Sequence, residues 1–395
     1  MLAIEGGKPV RKKEDFLIFG APYIEEEEIQ EVVNCLRSRW IGTGPRVGQF
    51  EKDFAEYKNK RYAIAVNSCT AALHLAMLAS GVGLGDEVIT TPMTFCASIN
   101  AIIHSGATPV LADCDKETMN ISPSKIEEKI TSRTKAILVV HFAGRCCDMA
   151  PILKIAKSYD LIIVEDCAHA IEAEYNGQKS GTFGDIGCFS FYVTKNITTG
   201  EGGMVITDNE RIASKIKTLA LHGMSKDAWK RYSDEGYKHY EVVYAGFKYN
   251  MTDMQAAIGI KQLKRVDRYW RRRKEIWEIY NKSFADLPCI LPSDPEPETI
   301  HSYHLYTLLI DIDRIGRSRD WVLDAMTAEN IGVGVHYVPV HLHPYYRKMY
   351  GWKRGDYPNA EFIGDRTISL PISPALTDDD VQDVIDAFKK VLMGS

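Results

Sequence analysis

Between residues 60 and about 210 the chain alternates short apolar runs with stretches of helical period. The runs are Tyr62–Val66, Glu87–Thr91, Pro109–Ala112, Ala136–His141, Leu161–Val164, Ile186–Tyr192 and Met204–Thr207. Helices are predicted between them over Ala71–Ser80, Cys96–His104, Pro123–Ile130 and Pro151–Tyr159. Pro123 and Pro151 sit in a first helical turn, where a missing N–H costs little. Such alternation is the mark of βαβ units around a mostly parallel sheet. The pattern therefore predicts an α/β fold whose large domain carries a seven-stranded, mostly parallel sheet. Residues 222–250 show no long period and are rich in Tyr, Trp, Lys and Arg, a composition that suits contacts. One long helix is predicted from Thr252 to Phe284, and "LPCILPSDPEPET" then breaks the pattern with four prolines. The rest reads as a smaller α+β domain: strand Tyr303–Ile310, helix Ser318–Asn330, strand Val333–Tyr337 and final helix Asp378–Leu392. The boundary is expected inside the long helix, giving domains 1–260 and 261–395.

Composition narrows the function classes. The 395 residues are 45% hydrophobic and 26% charged, ordinary globular values. Net charge is −5 with both signs interspersed, which leaves no footprint for nucleic acid or anionic membranes. The basic run Arg271–Lys274 reads as a solvated helix face. Nine cysteines, an odd number with no CxxC pair, fit a reducing compartment, so a cytoplasmic protein is expected. The first residues show no apolar h-region, and no run reaches the ~18 apolar residues of a membrane span.

Three stretches carry candidate chemistry. In "AVNSCTAALHLAMLAS" a strand ends, small residues turn the chain, and a helix begins near Ala71. Free N–H groups and the helix dipole at such a place favour a phosphate. Taken alone, the stretch is better read as an ordinary helix capped by Thr70. In "LIIVEDCAHA" an apolar strand ends in Glu165-Asp166, with His169 just beyond. Ligands of open α/β sheets bind past the carboxyl ends of strands, so Asp166 faces a crevice unless it is only a turn residue. In "SFYVTKNITTGEGG" Ser190 and Tyr192 share a strand face, and Lys195 follows in a turn rich in glycine. Together these are the parts that pyridoxal 5′-phosphate (PLP) requires: an anion cradle, a carboxylate for the pyridine nitrogen, and a lysine for the aldehyde.

Over nearly its whole length the chain resembles the DegT/DnrJ/StrS family of PLP-dependent sugar aminotransferases, which share the type I aspartate-aminotransferase fold. The resemblance rests on "IEGGKPVR", "NSCTAALHLA", "TPMTFCAS", "EDCAHA", "SFYVTKNITTGEGG", "HGMSKDAW", "GFKYNMTDMQAAIG" and "HYVPVHLHPYY". It implies that Lys195 is the Schiff-base lysine and later the proton shuttle, Asp166 the pyridinium partner, and His169 a neighbour of the ring. It further implies that Phe95 stacks on the ring, and that Thr70, Ala71 and Ser190 contact the phosphate. Asn250 matches an asparagine that reaches the cofactor of the other subunit, which implies a homodimer with shared sites. His336 is placed near the sugar, and Arg231 and Trp229 are candidates for the nucleotide diphosphate. The implied reaction moves an amino group from an amino acid, by family analogy L-glutamate, to a nucleotide-linked keto sugar. The blocks "GFKYNMTDMQ" and "HGMSKDAW" lean towards C4 of a UDP-4-keto-6-deoxy sugar. The alternatives are a dTDP-3-keto sugar aminotransferase and a PLP-binding regulatory protein without catalysis. A sugar dehydratase of this family would replace Lys195 by histidine, and a cysteine desulfurase would need a mobile cysteine that the chain lacks. His336, His341 and His343 have no acidic or thiol ligand at metal spacing, so no metal is expected. Cys167 should pack and not catalyse. "GVGLGDEV" follows a helix and precedes a strand, the wrong order for a dinucleotide fingerprint.

Overall fold

A computed structural model describes residues 1–224 and 240–394. The large sheet is built from β1 (Tyr62–Val66), β2 (Glu87–Thr90), β3 (Thr108–Leu111), β4 (Thr134–Val140), β5 (Ile162–Asp166), β8 (Ile186–Ser190) and β9 (Gly203–Thr207). The intervening β6 (Glu174–Tyr175) and β7 (Gln178–Lys179) form a short hairpin outside it. Strand order in the large sheet is β1-β9-β8-β5-β4-β2-β3. Pairing is parallel from β3 through β8, and β9 runs antiparallel to both of its neighbours. All seven apolar runs named above lie in this sheet.

Burial on both faces explains why the strands are continuously apolar. Along β4, Ala136 and Leu138 join the core that includes helix Cys69–Ala79, while Ile137 and Val139 join the core on the opposite face. β1 divides likewise, with Ile64 and Val66 on one side and Ala63 and Ala65 on the other. Because β9 is reversed, its first residue Gly203 lies beside Ser190, the last residue of β8. Gly203 also packs against the start of helix Cys69–Ala79: a Cβ there would meet Ser68 carbonyl atoms at 2.5 Å. Only glycine permits that approach, which brings three chain segments to one rim.

Two expectations need correction. The helix predicted over Thr252–Phe284 is two helices, Asp253–Lys264 and Val266–Phe284, separated at Arg265. Arg265 forms ion pairs with Glu25, Glu27 and Glu28 of the N-terminal segment. That tertiary contact accompanies a break that no Gly or Pro announces. The extended stretch Val333–Tyr337 is not a strand and contributes one bridge, Gly334 to Ser369. The small antiparallel sheet is instead β10 (Cys289–Ile290), β12 (Tyr306–Ile310) and β13 (Thr367–Leu370), in that order. The remaining strand, β11 (Thr299–Ile300), pairs with β6. Helix Val266–Phe284 contributes Val266 to the large-sheet core, and Ile276, Trp277, Tyr280 and Phe284 to the C-terminal core. Among the described residues no helix is long and apolar enough to cross a membrane.

Candidate active site

The carboxyl ends of β1, β4, β5 and β8 open into one cavity of about 560 Å³. Of the residues singled out in the sequence, Thr70, Phe95, Asp166, His169, Ser190, Lys195 and His336 line it. Ser68, Cys69, Tyr192, Gly202 and Tyr337 line it too.

The phosphate-like end is built by helix Cys69–Ala79. Its N-cap is Ser68, whose hydroxyl accepts from the Ala71 N–H at 3.1 Å. Thr70 is therefore not the cap. Ala71 does not line the cavity, and its N–H is engaged. The N–H groups of Cys69 and Thr70 carry no hydrogen bond among the described residues. They leave two donors and the positive end of the helix dipole at the cavity wall, an arrangement that favours an anion.

Asp166 ends β5 and is 5% exposed. One carboxylate oxygen accepts from the Ser98 hydroxyl at 2.8 Å and the other from the Ala168 N–H at 3.1 Å. Thr94 holds Ser98 in turn at 2.8 Å. Burial pushes the carboxyl pKa up, while Ser98, the Ala168 N–H and the Lys195 charge oppose the shift. A carboxylate so buried calls for a cationic N–H partner, and no ion pair among the described residues supplies one. A protonated pyridine nitrogen fits that need. The one local signal for Ser98 in the sequence is its position four residues after Thr94, in the first turn of helix Cys96–His104.

His169 is buried, and its Nδ1 accepts from the Ala143 N–H at 3.2 Å. The proton then belongs on Nε2, which donates to the Tyr337 hydroxyl at 3.1 Å. Burial, with Lys195 and two further histidines nearby, pushes its pKa well below the usual value, so the ring is neutral. His336 is likewise lowered, to about 3, by burial and by Lys195, and its Nδ1 bonds the Ser369 hydroxyl at 2.9 Å. Phe95 is the N-cap residue of helix Cys96–His104; it is 58% exposed, lines the cavity and lies beside the Tyr337 ring.

Lys195 is half-buried on the cavity wall, and its amine makes no hydrogen bond or ion pair among the described residues. Burial lowers its pKa from the ordinary 10.5 to about 8, against the pull of Asp166 and Cys69. The free amine is the nucleophile, so capture of an aldehyde by the stripped protein should rise with pH through a midpoint near 8. Stopped-flow absorbance across that range measures it, and a midpoint near 10.5 would contradict the burial argument.

Other expectations fall elsewhere. Asn250 lines a separate concavity with Thr43, Gly44 and Lys217; its Nδ2 donates to Thr43 at 2.6 Å, and its buried Oδ1 has no partner. Arg231 and Trp229 lie outside the described residues. Cys167 is packed in the core with Phe189. His336, His341 and His343 form no ligand cluster, and His341 bonds Glu361 at 3.0 Å. Among the described residues the one group at metal-ligand spacing is His141, Glu165 and Cys167. There the His141 ring is bonded at both nitrogens, by Glu165 and the Cys147 N–H, and Glu165 also accepts from Gly181 and Gly184.

A lysine, a buried carboxylate and a helix N-terminus at the carboxyl edge of this sheet define an enzyme of the type I PLP-dependent fold. The chain belongs to the DegT/DnrJ/EryC1/StrS aminotransferase family, whose model matches residues 22–389. It is 49% identical over 387 residues to the spore coat polysaccharide biosynthesis protein SpsC of Bacillus subtilis, covering 98% of this chain and 100% of SpsC. The PLP form of the putative sugar aminotransferase Spr1654 from Streptococcus pneumoniae superposes with a TM-score of 0.88 at 33% identity, over 96% of this chain and 99% of that one. DesI, solved in the presence of its TDP-sugar product, gives a TM-score of 0.87 at 30% identity, over 100% of this chain and 97% of its own. The protein is thus a PLP-dependent transaminase of the sugar-aminotransferase class.

Proposed function

We propose that the protein moves the amino group of L-glutamate to C4 of a UDP-linked 4-keto-6-deoxy sugar. The observation that carries the catalytic reading is Lys195: an amine with a pKa near 8 facing the same cavity as Asp166 and two unbonded N–H groups. Lys195 would hold PLP covalently, Asp166 would face its pyridine nitrogen, and Phe95 would cover the ring. Ser68, Ser190 and the N–H groups of Cys69 and Thr70 would hold the phosphate. Bound there, the cofactor supplies an electron sink for negative charge at the carbon that bears the amino group. Lys195 Nζ, when not bonded to the cofactor, would be the base placed to move the proton at that carbon. Neutral His169 is fixed by Ala143 and Tyr337, so it offers a ring without competing charge beside the cofactor.

The nucleotide-sugar reading is supported by the TDP-sugar product named for DesI and by the polysaccharide role named for SpsC. The preference for UDP and C4 rests on the blocks "GFKYNMTDMQ" and "HGMSKDAW". Asn250 lines a concavity separate from the Lys195 cavity, which is compatible with its serving the cofactor of a second copy, and on that reading the protein works as a homodimer. Purified protein with glutamate and a panel of UDP- and dTDP-linked keto sugars tests the proposal. An amino sugar formed fastest from the UDP-4-keto substrate is expected. Product from a dTDP-3-keto sugar alone would overturn the sub-class, and no product from any member would overturn the substrate class.

A further inference from the structure

A second, much smaller cavity also touches Lys195, and beside it four chain segments meet at one buried ion pair. Arg273, on helix Val266–Phe284, is 1% exposed and donates Nη2 to Glu172 Oε1 at 2.5 Å. The other Glu172 oxygen accepts from Nδ2 of Asn196, the residue directly after Lys195, at 2.5 Å. The Glu172 N–H goes to the Ser302 hydroxyl at 3.1 Å, and the Ser302 carbonyl accepts from Arg273 Nε and Asn196 Nδ2, each at 3.4 Å. Arg273 Nη1 is buried and has no partner among the described residues. The Tyr269 hydroxyl is in the same state, and both residues line this cavity. About 20 Å³ is open in this cavity, room for one water molecule.

Such a buried pair is a poor source of stability, because desolvating two charges offsets most of their attraction. Its use must lie in what it fixes. Among the described residues the Lys195 amine has no bond of its own, so its position depends on the backbone that carries it. That backbone is tied on one side by the Lys195 N–H to the Tyr192 carbonyl at 2.9 Å, and on the other by Asn196.

We propose that Arg273 and Glu172, acting through Asn196 and completed by one ordered water, are positioning residues that hold the Lys195 amine within reach of the cofactor aldehyde. This rests on Lys195 being the cofactor lysine. The network should matter for the aldehyde cofactor, which bonds Lys195, and not for its amine form, pyridoxamine phosphate (PMP), which does not.

The test strips the full-length protein and titrates it with PLP and, separately, with PMP. Asn196→Ala and Glu172→Gln are each expected to weaken PLP binding about tenfold, equivalent to about 1.4 kcal/mol. PMP binding should stay within about twofold of the parent. Asn196→Ala leaves Glu172 paired with Arg273, so it keeps the test open where Glu172→Gln misfolds. Equal losses for both cofactors would show a merely structural role and overturn the proposal, as would no loss for either. A parent protein that takes up PMP but not PLP would instead remove the assignment of Lys195.

Discussion

Replacing Lys195 by alanine is expected to lower transamination by about 10⁴-fold or more, the scale on which loss of a nucleophile and loss of a proton carrier combine. Both roles would fall on one nitrogen, and among the described residues no second amine lines the cavity to take over. Lys195→Arg should fare no better, because guanidinium stays protonated and cannot attack an aldehyde. Fold should survive in both variants, since among the described residues the amine makes no bond that stabilises the native state. Steady-state assays with glutamate and a keto sugar, paired with thermal melting, read the two effects apart. A Lys195→Ala protein that folds and keeps about a tenth of parental turnover would contradict the assignment.

Replacing Asp166 by asparagine is expected to lower kcat by about 10²–10³-fold with little change in melting temperature. Asparagine is isosteric, and its carbonyl can still accept from Ser98 or from the Ala168 N–H. What it removes is the negative charge that would keep the pyridine nitrogen protonated, and with it the electron sink. The environment sharpens the effect, because burial gives the charge little screening. A loss confined to KM would place Asp166 in substrate binding and contradict its role at the ring.

How far the sequence could be read depended on whether local physics decided each feature. The seven sheet strands were legible because burial on both faces makes each run apolar throughout. The lysine turn and the Asp166 strand end were legible for the same reason: polar residues at the carboxyl end of an apolar strand have one place to go. Ser68 as N-cap was misread as Thr70 because either hydroxyl can cap, and only the rim contact with Gly203 shows where the helix begins. The break at Arg265 was hidden because Glu25, Glu27 and Glu28 lie more than two hundred residues away in sequence. β13 escaped notice because "TISL" is four residues long, too short for alternation to show. The Arg273–Glu172–Asn196 network was invisible since its members share no local pattern.

A chemical rival to Lys195 exists within the molecule. Lys58 is also buried, and burial lowers its amine to about 8 as well. It differs in being held: its ammonium donates to the Ser180 carbonyl at 2.9 Å and hydroxyl at 3.1 Å, and lies 4.6 Å from the Phe189 ring centre. Loading the protein with PLP, reducing with borohydride and mapping the modified peptide by mass spectrometry separates the two directly. The cofactor mass on the peptide containing Lys195 is the predicted result. The same mass on the peptide containing Lys58, or on no lysine at all, would contradict it.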